Sequence, residues 1–192
     1  MSEPSDPTFA YYPVTYFRST RAPRQPASLP RPQATSTTSK SDTFSIRVLS
    51  VPSTSGAVAG EGAIGCITVG DFEENFPMDL TYWDVGQYQT SWAQSLRVLE
   101  SDDDATSCLI SCITDPANSN FIFCWPLYRS GDNVYVQNSI IFLEDLAEEF
   151  DPAEPWRFVE PRSTVDEEGH EVSEWQTSIS QIRRFGKMPS AE

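Results

Sequence analysis

The sequence has few basic residues and a single histidine. It contains 13 lysine and arginine residues against 28 aspartate and glutamate residues, which gives a formal net charge of −15. Binding to nucleic acid or to an anionic membrane depends on Lys and Arg side chains that displace counterions, so the composition excludes both classes of partner. The one histidine, His170, lies in the polar stretch DEEGHEVSE, which is typical of a solvated surface imidazole and not of a catalytic base.

The sequence also has few cysteines and no long hydrophobic run. No apolar stretch reaches the roughly 18 residues that a transmembrane helix needs. The N-terminus lacks a basic segment followed by a continuous apolar core, so no secretory signal is predicted and the cytoplasm is the expected compartment. The cysteines form no C-x-x-C pair and lie inside apolar runs, which predicts buried, reduced thiols and no zinc site. They are Cys66, Cys108, Cys112 and Cys124.

Catalytic motifs are missing as well. The sequence has no G-x-S-x-G elbow, Walker loop, dinucleotide fingerprint or H-E-x-x-H pair. Carboxylates are plentiful, but they occur as runs in turn-rich segments, whereas a catalytic acid needs burial to raise its pKa. The calcium-loop pattern D-x-[DN]-x-[DN]-G is also absent. We therefore predict no catalytic residue, no cofactor and no metal, and a protein that is not an enzyme.

Composition divides the chain into a tail and one domain. Residues 1–42 hold seven of the fifteen prolines, followed by the run ATSTTSKSDT, and such a segment cannot bury enough apolar surface to offset its ordering entropy. We predict a disordered Pro/Ser/Thr-rich tail over 1–42 and a single domain over 43–188. Residues 1–43 have a net charge of +2 and residues 44–192 of −17. An acidic domain of this kind attracts basic partners, chiefly by raising association rates, although acidity can also serve solubility alone.

Residue patterning predicts an α+β fold, mainly an antiparallel sheet with one long amphipathic helix and a short C-terminal helix. In the first half, alternation and turn residues indicate strands at 44–51, 63–69 and 72–78. The long helix follows, with Asp84 as its N-cap. Its apolar face repeats at helical spacing and consists of Tyr88, Trp92, Leu96 and Leu99.

The second half is predicted to form an antiparallel meander of three strands, 106–114, 121–129 and 133–143. Pro126 lies inside the second of them. Because proline lacks a backbone N–H, it predicts an edge position or a bulge there. Near the C-terminus, DEEGH predicts a hairpin-like turn. The stretch SEWQTSISQIRRFGK predicts a short amphipathic helix through Ile179, Ile182 and Phe185.

Several motifs resemble those of a known family. The stretch IGCITVGDFEENFPMDLTYWDVGQYQTSWAQSL has a strand ending in GDF and then a YW…YQ…W…L helix. The stretches SCLISCITDPANSNFIFCWPLYRSGDNVYVQN and EPRSTVDEEGHEVSEW follow it. In this order the motifs resemble the immunity proteins of contact-dependent growth inhibition systems of Gram-negative bacteria. The similarity spans Phe44 to Trp175, and the tail over 1–42 has no counterpart in it.

The resemblance implies a cytosolic inhibitor that binds the C-terminal toxin domain of a cognate surface effector and blocks it. Such a protein needs no catalytic residue, and the acidic charge favours a basic toxin, of which nucleases are one class. The matched motifs themselves are expected to have structural roles. Core positions are predicted for Trp83, Trp92, Trp125 and Tyr128, and turn positions for Gly70 and Gly131.

Toxin-binding residues are expected in the acidic loops and at exposed aromatic side chains. Interfaces concentrate their energy in a few aromatic or Arg residues, which favours the two tryptophans outside the predicted core. Taken singly, each carboxylate is also typical of an ordinary solvated charge. The hairpin around Gly131 is predicted to be scaffold for these loops. The candidates are Asp102, Asp103, Asp104, Glu148, Glu149, Asp151, Glu167, Glu168, Trp156 and Trp175.

Two other classes of function fit the sequence. One is a protein-binding adaptor, whose tail recruits a second partner through Pro-rich segments such as PRQPASLPRP. The other is a carbohydrate-acting enzyme, which would need two carboxyl groups about 5–10 Å apart in one aromatic-lined cleft.

Overall fold

The computed structural model describes residues 43–51, 62–166 and 168–187. The predicted tail over 1–42 and the candidate residue Glu167 lie outside the described residues. The described residues belong to one compact unit, Thr38–Glu192, and form antiparallel strands and two α-helices, which confirms the α+β class. The elements are β1 Phe44–Ser50, β2 Ala63–Val69, β3 Phe72–Met78, α1 Val85–Val98, β4 Thr106–Cys112, β5 Phe121–Ser130, β6 Asn133–Gln137, β7 Ser139–Phe142, β8 Glu174–Ser178, α2 Ile179–Gly186, and two short 3₁₀ helices, Leu143–Asp145 and Pro155–Phe158.

The first three strands form an antiparallel sheet in the order β1-β2-β3. The predicted bounds of β2 and β3 are confirmed. The turn between them holds Gly70 at a φ of 62°, a left-handed conformation that glycine adopts without the strain a Cβ would cause. Phe44, Phe76 and Met78 are buried on the face that packs against the rest of the domain.

Gly65, in the middle of β2, lies beneath the ring of Phe76. The two residues are paired across β2 and β3, and a Cβ at position 65 would lie 2.3 Å from a ring carbon of Phe76. The same ring meets Trp92 of α1 edge-on, with centroids 6.3 Å apart. The absence of a side chain at Gly65 therefore lets Phe76 cover the strand and still reach the helix.

The larger sheet has the order β4-β5-β6-β8, with β7 also paired to β5. The antiparallel meander is confirmed, but the predicted third strand is two strands. β7 pairs with residues 121–124 of β5, and β6 pairs with residues 127–130. Asn138 separates the two strands, and at this residue the chain moves from pairing with the end of β5 to pairing with its start.

The predicted edge position of Pro126 is wrong, because β5 is paired on both edges. The N–H of Arg129 donates to Ala105 on the β4 side. Since successive residues of a strand alternate in direction, the nitrogen of Pro126 faces the opposite edge. On that edge Pro126 lies at the gap between β7 and β6, where neither strand pairs with it. The missing N–H of Pro126 therefore interrupts the hydrogen bonds of neither β5–β7 nor β5–β6. The irregularity in register lies in β4, between Ile110 and Cys112.

The stretch predicted as one C-terminal helix is a strand followed by a helix. β8 pairs with β6 from Gln137↔Glu174 to Asn133↔Ser178. Trp175 and Thr177 alternate on one face, as in a strand. Two residues are too few to distinguish this pattern from a helical one, which explains why a helix was predicted here. α2 then begins at Ile179, and its predicted apolar residues Ile179, Ile182 and Phe185 pack against the core as expected.

α1 packs on β4 and compensates for the register irregularity in that strand. The capping box at Asp84 starts the helix as predicted. The indole Nε1–H of Trp92 donates to the carbonyl of Ile110 at 2.7 Å. The hydroxyl of Tyr88 accepts the N–H of Ile113 at 3.0 Å. Backbone groups that leave a regular ladder need partners when buried, and these two helix side chains provide them.

The core residues expected from the sequence are buried. Trp83, Trp92, Trp125 and Tyr128 are at most 9% exposed. The segment that contains the second 3₁₀ helix packs against β4, and the hydroxyl of Tyr128 donates to the carbonyl of Glu160 just beyond it at 2.9 Å. Three of the four cysteines are buried, Cys112 is half-buried, and all four thiols are free. Burial raises the pKa of the Cys108 thiol, as expected for an unreactive, buried cysteine.

We expect Gly65→Ala to destabilise the domain by about 1–3 kcal/mol, because the new methyl group would displace the Phe76 ring from Trp92. Chemical denaturation would measure the change. Gly186→Ala is the matched control, because a Cβ at the end of α2 would meet nothing within 4 Å. A Gly65→Ala variant as stable as the wild type would contradict this role for the glycine.

Candidate protein-interaction surface

The first acidic group is the turn Asp102–Asp104, between α1 and β4. All three aspartates are exposed. The turn packs against the β5–β6 hairpin turn, because the N–H of Gly131 donates to the carbonyl of Asp103 at 2.9 Å. Gly131 has a φ of 60°, which confirms its predicted role as a turn residue.

Arg129, near the end of β5, holds the two turns together. Its Nη1 donates to the carbonyls of Leu99 and Asp102, both at 2.9 Å, and its Nε donates to the carbonyl of Gly131 at 2.8 Å. Its Nη2 donates to the carboxylate of Asp103 at 2.5 Å. The Arg129 side chain is only 7% exposed. The planar fork of donors on a guanidinium suits such an arrangement, so one buried charge satisfies carbonyls from both turns.

The aspartates of this turn therefore differ in availability. Asp103 is 79% exposed at its side chain but already has Arg129 as its ion-pair partner. The carboxylate of Asp102 accepts the N–H of Asp104 at 3.0 Å, which stabilises the turn. Nearby, Glu100 pairs with Arg183 of α2 at 3.4 Å. Asp102 and Asp104 are left as the carboxylates of this group best placed to meet a partner.

The second acidic group, Glu148, Glu149 and Asp151, lies between the two 3₁₀ helices. Arg157 donates two hydrogen bonds to Glu148, at 2.7 and 3.0 Å. The carboxylate of Asp151 accepts a backbone N–H two residues further on, at 2.9 Å. Two of these three carboxylates thus also have contacts within the chain.

The third acidic group contains Glu168, which is exposed in the turn before β8. The turn is hairpin-like as predicted, with Gly169 at a φ of 82° and one isolated antiparallel bridge between Val165 and Glu171, which flank the turn. His170 is exposed and lies 3.2 Å from Asp166. Hydrogen bonds from the His170 backbone and ring lower the pKa of the Asp166 carboxyl group.

The two tryptophans expected at the surface are half-buried. Trp156 packs against the core cluster. The ring of Trp175 stacks on Phe72 with centroids 3.7 Å apart and meets Trp125 edge-on at 6.0 Å. Trp175 therefore joins the two sheets, and its expected exposure is wrong because β8 places it in their contact.

The structure does not bring the three acidic groups to one surface. The β6 strand runs from Asn133 to Gln137 along β8. The acidic turn of the first group packs beside the hairpin turn that precedes Asn133. Glu168 precedes β8, whose first residue pairs with Gln137. The first and third groups therefore lie toward opposite ends of the β6–β8 pair.

A groove of about 650 Å³ lies between α1 and the loop at residues 151–153. It is lined by Trp83 and by two carboxylates, Asp84 and Asp151, which makes it the place to examine for a glycosidase-like pair. Asp84 accepts the N–H of Gln87 at 2.8 Å as the helix cap, and Asp151 fixes its own turn. Neither residue is buried. Both carboxylates stabilise local backbone, and neither has the burial that a catalytic acid needs.

An apolar patch lies where β5 pairs with β7, within residues that the sequence analysis assigned to scaffold. Register pairs Phe121 with Phe142 and Phe123 with Ile140, so these four side chains share one face. We call them the β5–β7 patch. Phe121 and Phe142 are 44% and 50% exposed. The four residues are not part of the hydrophobic core cluster of the described chain. In FIFCW the residues on both faces of the strand are apolar. This pattern was the signal for an exposed apolar surface, and the sequence analysis did not use it.

The comparisons with known proteins agree with one another. The family model of the CdiI N-terminal domain matches residues 78–185. The chain belongs to the CdiI immunity protein family. It is 38% identical over 119 residues to the "Immunity protein CdiI" of Enterobacter cloacae, covering 62% of this chain and 81% of the relative.

A solved structure supports the same family. The chain is similar to a chain of the solved "CdiA-CT/CdiI toxin and immunity complex from Enterobacter cloacae", with a TM-score of 0.66 and 35% identity. The similarity covers 75% of this chain and 96% of that chain. The resemblance noted from the sequence motifs is therefore confirmed.

Two further properties concern only the part of the chain that the structure describes. No helix there is long and apolar enough to cross a membrane. No group of three or more His, Cys, Asp or Glu side chains in the described ranges could hold a metal ion.

We expect Arg129→Met to destabilise the domain by about 3 kcal/mol, because it removes the guanidinium that donates to the carbonyls of both turns. Arg183→Met is the control, because it removes a surface ion pair worth less than about 1 kcal/mol. Denaturant unfolding of both variants would measure the difference. Equal losses would show that Arg129 does no more than a surface arginine.

Stability should also depend on pH through Glu174. Hydrogen bonds from Arg162 hold the pKa of this carboxyl group below its ordinary range. Its contribution is therefore fully present above the ordinary glutamate pKa and is lost as pH falls through the lowered value. We expect Glu174→Gln to cost about 1 kcal/mol at pH 7 and progressively less in acid. The free energy of unfolding of the wild type and of the variant, measured from pH 7 down into acid, tests this expectation. A difference between them that does not shrink in acid would contradict it.

Proposed function

We propose that this chain is an immunity protein that binds the toxin domain of a cognate contact-dependent growth inhibition effector and neutralises it. The observation that carries the proposal is the family membership over residues 78–185. The similarity to a chain of a toxin and immunity complex supports it. We further propose that the chain inhibits the toxin by binding it and not by a catalytic reaction. The carboxylates that cap turns or pair with arginines have structural roles, which supports this proposal.

The partner that we propose is a basic toxin domain, with nucleases as one candidate class. The support is electrostatic, since residues 44–192 have a net charge of −17. A field of this sign raises the rate at which a basic protein finds the inhibitor. Among the predicted contact residues, Asp102, Asp104, Glu148 and Glu149 are exposed, and we propose that exposed carboxylates of this kind act in steering the toxin toward the inhibitor.

We also propose that the function resides in the predicted domain over 43–188, in the cytoplasm of the producing cell. The matched range 78–185 lies inside this domain. The tail over 1–42 is then dispensable for neutralisation. The adaptor hypothesis differs here, because it assigns recruitment of a partner to the Pro-rich segments of the tail.

The test is neutralisation of the toxin domain encoded immediately upstream. We expect the full chain to bind the purified toxin domain in the nanomolar range or tighter and to protect cells that express it. Binding kinetics at several salt concentrations should show association slowing as salt rises, because screening shortens the range of the acidic field. A chain lacking residues 1–42 should protect equally. Loss of protection in that variant, while it remains folded, would favour the adaptor function, and no binding by the full chain would refute the proposal.

A further inference from the structure

We infer that the β5–β7 patch is the apolar centre of the surface that docks the toxin. This inference rests on the proposed function and names the surface that carries it out. An exposed apolar side chain is ordinary when it occurs singly, whereas a contiguous group on one face marks an interaction surface. Phe121 and Phe142 are directly paired and about half exposed, and the ring of Phe123 meets that of Phe121 edge-on at 5.2 Å.

The patch continues the apolar face of β5 beyond the region that the core covers. Trp125, two residues after Phe123, is 1% exposed and contacts Phe72 and Phe76 of the three-stranded sheet. Exposure then rises along the same face through Phe123 to Phe121. The aromatic character of this outer end is thus not explained by the core of the described chain.

The position of the patch leaves it open to a partner. Among the described strands, β7 pairs only with β5. The patch therefore lies along an edge of the larger sheet, on a strand of only four residues. A partner that contacts the exposed rings of Phe121 and Phe142 would therefore also lie beside this edge strand.

The charged residues near the patch indicate which kind of partner it binds. Glu144 and Asp145 lie just after β7, separated from it by Leu143, and the loop that contains Asp115 leads into β5. The N–H of Leu143 donates to the carbonyl of Asn120 at 2.9 Å, which joins these two segments at the patch. Residues 113–128 and 133–147 hold the patch and the segments next to it, and their charged residues are Asp115, Glu144 and Asp145, all acidic and exposed.

An apolar centre with a rim of one charge sign fits a complementary protein surface. The partner is therefore expected to present apolar side chains within a basic region, as the proposed toxin would. A second copy of this chain fits poorly, because its acidic rim would meet an identical acidic rim. The acidic candidates Asp102–Asp104 pack at the other end of β5 and are therefore not part of the rim of this patch.

The experiment compares two double variants of the full chain for binding to the toxin domain encoded immediately upstream. Phe121→Ala with Phe142→Ala removes the exposed rings of the patch, and we expect at least about a 30-fold loss of affinity, as for central interface residues. Leu49→Ala with Val51→Ala is the matched control, because these side chains are 47% and 52% exposed on β1 and just after it. The control should bind like the wild type, and both variants should unfold at the wild-type temperature.

A second measurement needs no substitution. Hydrogen exchange of the wild-type chain with and without the toxin domain should show new protection at the amides of β7, while those of β1 remain unchanged. Light scattering of the wild type and of the Phe121/Phe142 variant, each without toxin, shows whether the chain is a monomer or a dimer in solution.

The outcomes separate the two proposals. Toxin binding by the wild type with no loss in the Phe121/Phe142 variant, or no new protection in β7, would overturn the inference about the surface and leave the immunity function standing. Failure of the wild type to bind the toxin domain would overturn both. A dimeric wild type that the Phe121/Phe142 substitutions convert to a monomer, with toxin affinity unchanged, would assign the patch to self-association and overturn the inference as well.

Discussion

The pairing of β5 is the constraint on which the rest of the structure depends. This ten-residue strand is paired along one edge with β4 and along the other with two different strands. The change of partner requires a position that needs no hydrogen bond, and Pro126 occupies it. One continuous strand therefore connects three regions: the β5–β7 patch at its start, the aromatic core at Trp125, and the buried guanidinium of Arg129 near its end.

The local elements with a strong pattern could be predicted from the sequence. β2, β3 and α1 have clear periodicity and explicit turn or cap residues, and the structure confirms them. β8 could not be separated from α2, because a five-residue strand followed directly by a helix shows too little of either period. The position of Pro126 could not be predicted either, since it depends on which strands pair with each half of β5.

The candidate site was harder to predict than the fold, for a physical reason. An aspartate in a polar turn looks the same in a sequence whether it is free, as at Asp104, or paired with a buried arginine, as at Asp103. A tryptophan outside the periodic segments looks exposed, whereas Trp175 is held between the two sheets by Phe72 and Trp125. Which side chains are available to a partner is decided by long-range contacts, and these are not visible in short motifs.

The β5–β7 patch has a consequence for how specificity can diverge within the family. Its four residues are presented by two strands in fixed register, yet they lie outside the core cluster. Substitutions there change the shape offered to a partner at little cost in folding free energy. Recognition can therefore evolve at the start of β5 while the end of the same strand, where Arg129 is buried, stays constrained. One strand thus combines an exposed face, where substitutions cost the fold little, with a buried arginine that the fold needs, so a change of partner at this face would not require a change of fold.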